Sequence, residues 1–100
     1  MDIKELNINK IKNLCKRYKV SKLYLFGSIL TEKFHNDSDV DMVVEFNKSS
    51  IEDYFDNYFK LTYKLEVYFK RKVDLLENQA IKNPYLRSEI DTSKQQIYGQ

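Results

Sequence analysis

The seven residues Val40-Asp41-Met42-Val43-Val44-Glu45-Phe46, rich in branched and aromatic side chains and closed by Asn47, predict a strand. The strand opens on Asp39 and Asp41. Residues two apart on a strand leave the same face, with α-carbons roughly 6.5 to 7 Å apart. Two carboxylates so placed beside Val40, Val43 and Val44 repel one another unless a cation lies between them, which points to a divalent metal site. Ligands that are all oxygen favour magnesium or manganese.

The segments on either side supply a sheet for this strand. Leu23-Tyr24-Leu25-Phe26 is too short and too continuously apolar for a surface helix, and Gly27-Ser28 stops it, so it reads as a buried first strand. Before it, Ile8, Ile11, Leu14, Cys15 and Tyr18 share one side of a 3.6-residue period. Lys10, Lys12, Lys16, Arg17 and Lys19 fall elsewhere, giving an amphipathic helix with a basic outer face. An irregular stretch runs to about Asp37.

Beyond Asn47, Ser49 and Glu52 have the spacing of a capping box. It introduces Ile51, Tyr54, Phe55, Tyr58, Phe59, Thr62, Leu65, Tyr68 and Phe69 at helical intervals. A helix of about twenty residues, packed by its aromatics, is expected. Lys72-Val73-Asp74-Leu75-Leu76-Glu77 is the third strand, so a strand–helix–strand unit follows. Pro84 then opens a last helix through Tyr85, Leu86 and Ile90 into a polar tail. The expected architecture is α/β (α+β), a small mixed sheet flanked by helices, with residues 1–100 as one domain.

Composition limits the class of function. Lysine and arginine number 17 against 15 aspartates and glutamates, a balance of +2 that does not mark a dedicated nucleic-acid binder. The charge is uneven, with seven bases and two acids in residues 1–23 and eight acids and two bases in residues 32–56. A single cysteine, Cys15, cannot form an intrachain disulfide, so a reducing cytoplasm is expected. Met1-Asp2-Ile3-Lys4-Glu5 lacks the pattern of a secretory signal, and the longest apolar run is Leu23 to Phe26. Neither a signal peptide nor a membrane span is expected.

A two-metal phosphoryl-transfer site needs ions about 3.5 to 4 Å apart, bridged by one carboxylate and flanked by others. Asp74 on the third strand is the candidate third carboxylate. Gly27 at a strand end allows close backbone approach, and the Ser28 hydroxyl adds a donor, so a triphosphate is accommodated there. Each element alone is weak. Their order is specific: strand, Gly27-Ser28, ten residues, Asp39-Val40-Asp41, helix, then a strand with Asp74.

In that order the sequence resembles the minimal nucleotidyltransferases of the DNA polymerase β superfamily. The matching residues are Phe26-Gly27-Ser28, Asp37 through Val44 and Lys72 through Leu76, with Pro84, Leu86-Arg87 and Ile97-Tyr98 resembling the family's ending. The resemblance implies magnesium, two ions in number, and ATP as substrate. It implies Gly27 and Ser28 as the triphosphate cradle, Asp39 and Asp41 as ligands of both metals, and Asp74 as a ligand of the catalytic metal that helps activate the acceptor. Family members of this size resemble antitoxins paired with HEPN ribonuclease toxins, which implies a hetero-oligomer and adenylylation of a toxin tyrosine. Neutralisation by occlusion without catalysis, and transfer to a small molecule or an RNA end, are the alternatives. Direct nucleic-acid binding and membrane attachment are not expected. One departure is plain: Ile29 to Phe34 contains neither the arginine nor the further glycine common in the family, and Lys33 is the nearest cation.

The remaining residues read more simply. The tyrosines and phenylalanines of the long helix fall mostly at core spacing, which favours packing over a base-stacking platform, and Cys15 is helix packing. His35 is an exposed loop residue. Lys70-Arg71-Lys72 and the basic face of the first helix are solvated surface or a docking site for an acidic partner or RNA. Arg87 either contacts phosphate or pairs with Glu89 or Asp91.

Overall fold

A computed structural model describes residues 6–35 and 37–99. The Met1–Glu5 segment, read above for a missing signal, lies outside them. Helix α1 (Ile8–Arg17) is capped by Asn7, whose side chain accepts from the Lys10 amide. Strands β1 (Val20–Phe26), β2 (Val40–Phe46), β3 (Val73–Glu77) and β4 (Gln95–Tyr98) form one sheet in the order β3-β2-β1-β4. β1 runs antiparallel to β2 and β4, while β2 and β3 are parallel and joined by helix α2 (Tyr54–Phe69). Helix α3 (Pro84–Ser93) opens on Pro84 behind the Asn83 cap. The expected mixed sheet with flanking helices is present.

The alternation of β2 divides the protein. Val40, Met42, Val44 and Phe46 are buried with Leu23, Leu25, Val73 and Leu75, beneath Ile11 and Cys15 of α1 and Leu61, Leu65 and Phe69 of α2. Val43 faces the other way, in a smaller cluster with Phe26 and Ile90. Burial pushes the Cys15 thiol up to about 12, which makes it a packing residue.

Four expectations need correction. The first strand starts at Val20, not Leu23, because Val20 is buried opposite Phe46 and the polar Ser21 and Lys22 hide the pattern. The Ser49–Glu52 capping box does not form. Ser49 donates to Asn47 Oδ1 inside a short 3₁₀ turn, and Asp53 caps α2 by accepting from the Asp56 amide, so the helix has 16 residues. The polar tail contains β4, a four-residue edge strand held by buried Ile97 and ended by Gly99. At Gly99 a Cβ would stand 2.3 Å from the Ser21 carbonyl oxygen, a closeness only glycine permits. Finally, the aromatics of α2 are not all core: Phe55, Phe59 and Tyr63 are exposed.

Candidate active site

The strand register brings the predicted residues to one end of the less covered sheet face. Asp41 lies opposite Phe26 on β1 and beside Asp74 on β3, and Asp39 precedes β2 on the same side. Asp41 is half-buried, whereas Asp39 and Asp74 are exposed. Burial, and then the charges of Asp74 and Asp39, hold the Asp41 carboxyl above the usual carboxylate range. Among the described residues, no three His, Cys, Asp or Glu side chains close into a ready metal cage. The donors are nonetheless all oxygen, with Asp41 and Asp74 at paired register positions and Asp39 two residues before Asp41, a set whose chemistry suits a hard divalent cation.

Gly27 ends β1 at φ +79° and leads into a 3₁₀ turn, Gly27–Leu30. A Cβ there would stand 2.6 Å from Asp41 Oδ2, so glycine is what lets the turn and the carboxylate share this space. Ser28 is the second residue of the turn and half-buried; its carbonyl accepts from the Thr31 amide and hydroxyl, each at 2.9 Å. The cradle and the aspartates are therefore adjacent. Lys33 is exposed, and its amide donates to Thr31 Oγ1.

A residue outside the predicted set organises the loop that delivers Asp39. Arg71 Nη1 donates to the carbonyls of His35 at 2.8 Å and Ser38 at 3.1 Å, and its guanidinium lies 4.4 Å from the Phe34 ring centroid. The neighbouring Lys72 carbonyl accepts from the Val40 amide. Arg71 is thus a loop anchor, where the sequence suggested solvated surface. Its only signal was a cation just before the strand that pairs with β2. His35 is exposed as expected, its Nδ1 accepting from the Asp37 amide. Arg87 donates to the Asn78 side chain and carbonyl and lies 3.6 Å from Asp91, so it ties α3 to the turn after β3.

Residues 9–100 match the family described as polymerase beta, nucleotidyltransferase. The chain belongs to this family. Two relatives from Methanocaldococcus jannaschii, each named "Putative protein adenylyltransferase", are 36% identical over 90 residues, covering 90% of this chain and 89% of theirs. A solved structure titled as a toxin–antitoxin with AMP-PNP superposes at TM-score 0.72 with 29% identity, covering 95% of this chain and 75% of that one. Another, of a tri-AMPylated Shewanella oneidensis HEPN toxin in complex with an MNT antitoxin, gives TM-score 0.66 at 26% identity, covering 98% and 74%. The nucleotidyltransferase shares its fold with a further structure titled "Structure of putative minimal nucleotidyltransferase", at TM-score 0.75 and 24% identity, covering 95% of each chain. No helix among its described residues is long and apolar enough to cross a membrane.

Proposed function

We propose that this nucleotidyltransferase moves AMP from ATP to a tyrosine hydroxyl of a HEPN ribonuclease toxin and so neutralises it in the cytoplasm. The observation that carries the reading is the half-buried Asp41, pressed against Gly27 and level with Asp74. The likeness to toxin–antitoxin complexes and to relatives named as adenylyltransferases supports the acceptor and the nucleotide.

In this reading Asp39, Asp41 and Asp74 would be the residues that hold two magnesium ions. Magnesium held there would supply neutralisation of phosphate charge and a more acidic acceptor hydroxyl. Gly27, lacking a side chain, lets phosphate approach the backbone, and Ser28 donates its hydroxyl. The tyrosine oxygen attacks the α-phosphorus, the bond from that phosphorus to the bridging oxygen breaks, and pyrophosphate leaves with the electron pair. Asp74, exposed at the sheet edge, takes the phenolic proton. Little covalent work falls to the protein, so placement and charge account for the rate.

Intact-mass analysis of the toxin after incubation with wild type, magnesium and ATP is expected to show added AMP, absent with Asp41→Ala. A toxin that is neutralised with no added mass, and equally by Asp39→Ala/Asp41→Ala/Asp74→Ala, would replace transfer with occlusion.

A further inference from the structure

A nucleoside triphosphate brought to Asp39, Asp41 and Asp74 adds about four negative charges to a site that is already acidic, and two divalent cations offset only part of the total. The protein has to supply further positive charge on the phosphate side. The stretch after the cradle, Ile29 to Phe34, offers Lys33, which is exposed beyond the 3₁₀ turn. Arg71 is committed to the carbonyls of His35 and Ser38. Lys72 lies on the β3 side, its carbonyl accepting from the Val40 amide, so it is level with Asp39 and remote from Gly27.

The strand that the sequence concealed brings another cation to the cradle. Gln95, the first residue of β4, pairs with Leu25 of β1. Lys94 directly precedes it in an extended conformation, φ −60° and ψ 145°, and so stands beside Phe26, the last residue before Gly27. Its side chain lies on the face that carries Asp41. Asp41 and Val43 leave β2 on the same side, Tyr24 pairs with Val43 and packs against its cluster, and Lys94 Nζ is 4.6 Å from the Tyr24 ring centroid. Because β1 runs between β2 and β4, Gly27 has the aspartates on one flank and the Lys94 ammonium on the other.

The surroundings of Lys94 leave its charge available. Its ammonium is 3.1 Å from Asp91, an exposed carboxylate that also lies 3.6 Å from Arg87. An exposed ion pair is weak, and Asp91 keeps Arg87 as a partner when the lysine turns to another anion. The Tyr24 ring holds the lysine over the sheet without neutralising it.

We propose that Lys94 binds the β- and γ-phosphates of the nucleotide, supplying from β4 the positive charge that the turn after Gly27-Ser28 lacks. This inference rests on the nucleotide-transfer reading above. Lysine suits the place, since a compact ammonium on a flexible stem can follow phosphate oxygens without the planar geometry that arginine imposes.

Calorimetric titration of the full chain with ATP in magnesium tests the proposal without any acceptor. Lys94→Met keeps an apolar stem over Tyr24 and should weaken ATP binding about tenfold with an unchanged thermal melt. Lys94→Arg keeps the charge and should stay within about threefold of wild type, and Lys33→Met within about twofold. Equal binding by wild type and Lys94→Met overturns this inference alone, as does a tenfold loss found in Lys33→Met instead. A loss that Lys94→Arg does not rescue makes Lys94 structural and likewise overturns it. A wild type that takes up no ATP overturns the nucleotide-transfer reading, and this inference with it.

Discussion

Met42 and Asp41 are neighbours on β2, yet they belong to different parts of the protein. Met42 is fully buried under α1 and α2, in the cluster that holds the fold together. Asp41, one residue earlier and therefore on the opposite face, is half-buried beside two other carboxylates and has its carboxyl pushed up by burial and by their charge. One strand thus stabilises the fold with one set of side chains and accepts electrostatic strain with the other. The strain is tolerable because the covered face supplies the stability.

The sharpest way to separate the two faces is to change each residue in turn. Asp41→Asn is expected to reduce AMP transfer below detection while leaving the thermal midpoint equal to wild type or higher, since it relieves like-charge repulsion. Activity and melting measured on the same preparation check both halves; a large drop in midpoint would mean that Asp41 is structural. Met42→Ala should do the reverse. It is expected to cost about 2–5 kcal/mol in urea unfolding, with transfer by the folded fraction retained.

Arg71→Gln should have an intermediate effect, because it removes two hydrogen bonds that fix the loop before Asp39. A loss of about 1–2 kcal/mol is expected. Transfer should fall in parallel with looser binding of the cation, which a magnesium titration of activity would report.

The smallest effect is a pH dependence. Because the folded state raises the Asp41 carboxyl, it holds that proton more tightly than the unfolded chain does. Asp41 therefore favours folding at pH below its unfolded value, and that contribution is lost as pH rises through the folded value. The stability difference between Asp41→Asn and wild type should change over that window and level off above it. Chemical denaturation across the acid range tests this, and a difference independent of pH would contradict it.

Much of this was legible in the sequence because it depends on short spacings. Asp39 and Asp41 share a face by strand geometry, Gly27-Ser28 ends a strand, and a helix between two apolar runs implies a parallel pair, which β2 and β3 form. The failures were also local in origin. Ser49 and Glu52 have the spacing of a cap, but Asp53 competes for the same role and wins because the chain between is a 3₁₀ turn. Gln95-Gln96-Ile97-Tyr98 reads as polar because an edge strand needs only one buried side chain, Ile97, to be held. In α2 the aromatic spacing was visible, but two apolar faces look alike in one dimension.

The sequence by itself therefore determined the types of element, the order of the chemistry-bearing residues and the side of β2 from which Asp39 and Asp41 project, since all three follow from backbone periodicity within a few residues. Only the tertiary structure decided that Asp74 lies level with Asp41, that Gly27 must lack a side chain because Asp41 occupies its Cβ position, that Arg71 reaches back to the loop before Asp39, and that the face of α2 carrying Phe55 and Phe59 stays open. These depend on register and packing between residues tens of positions apart, where the free energy of the whole fold selects among alternatives that local spacing leaves equivalent.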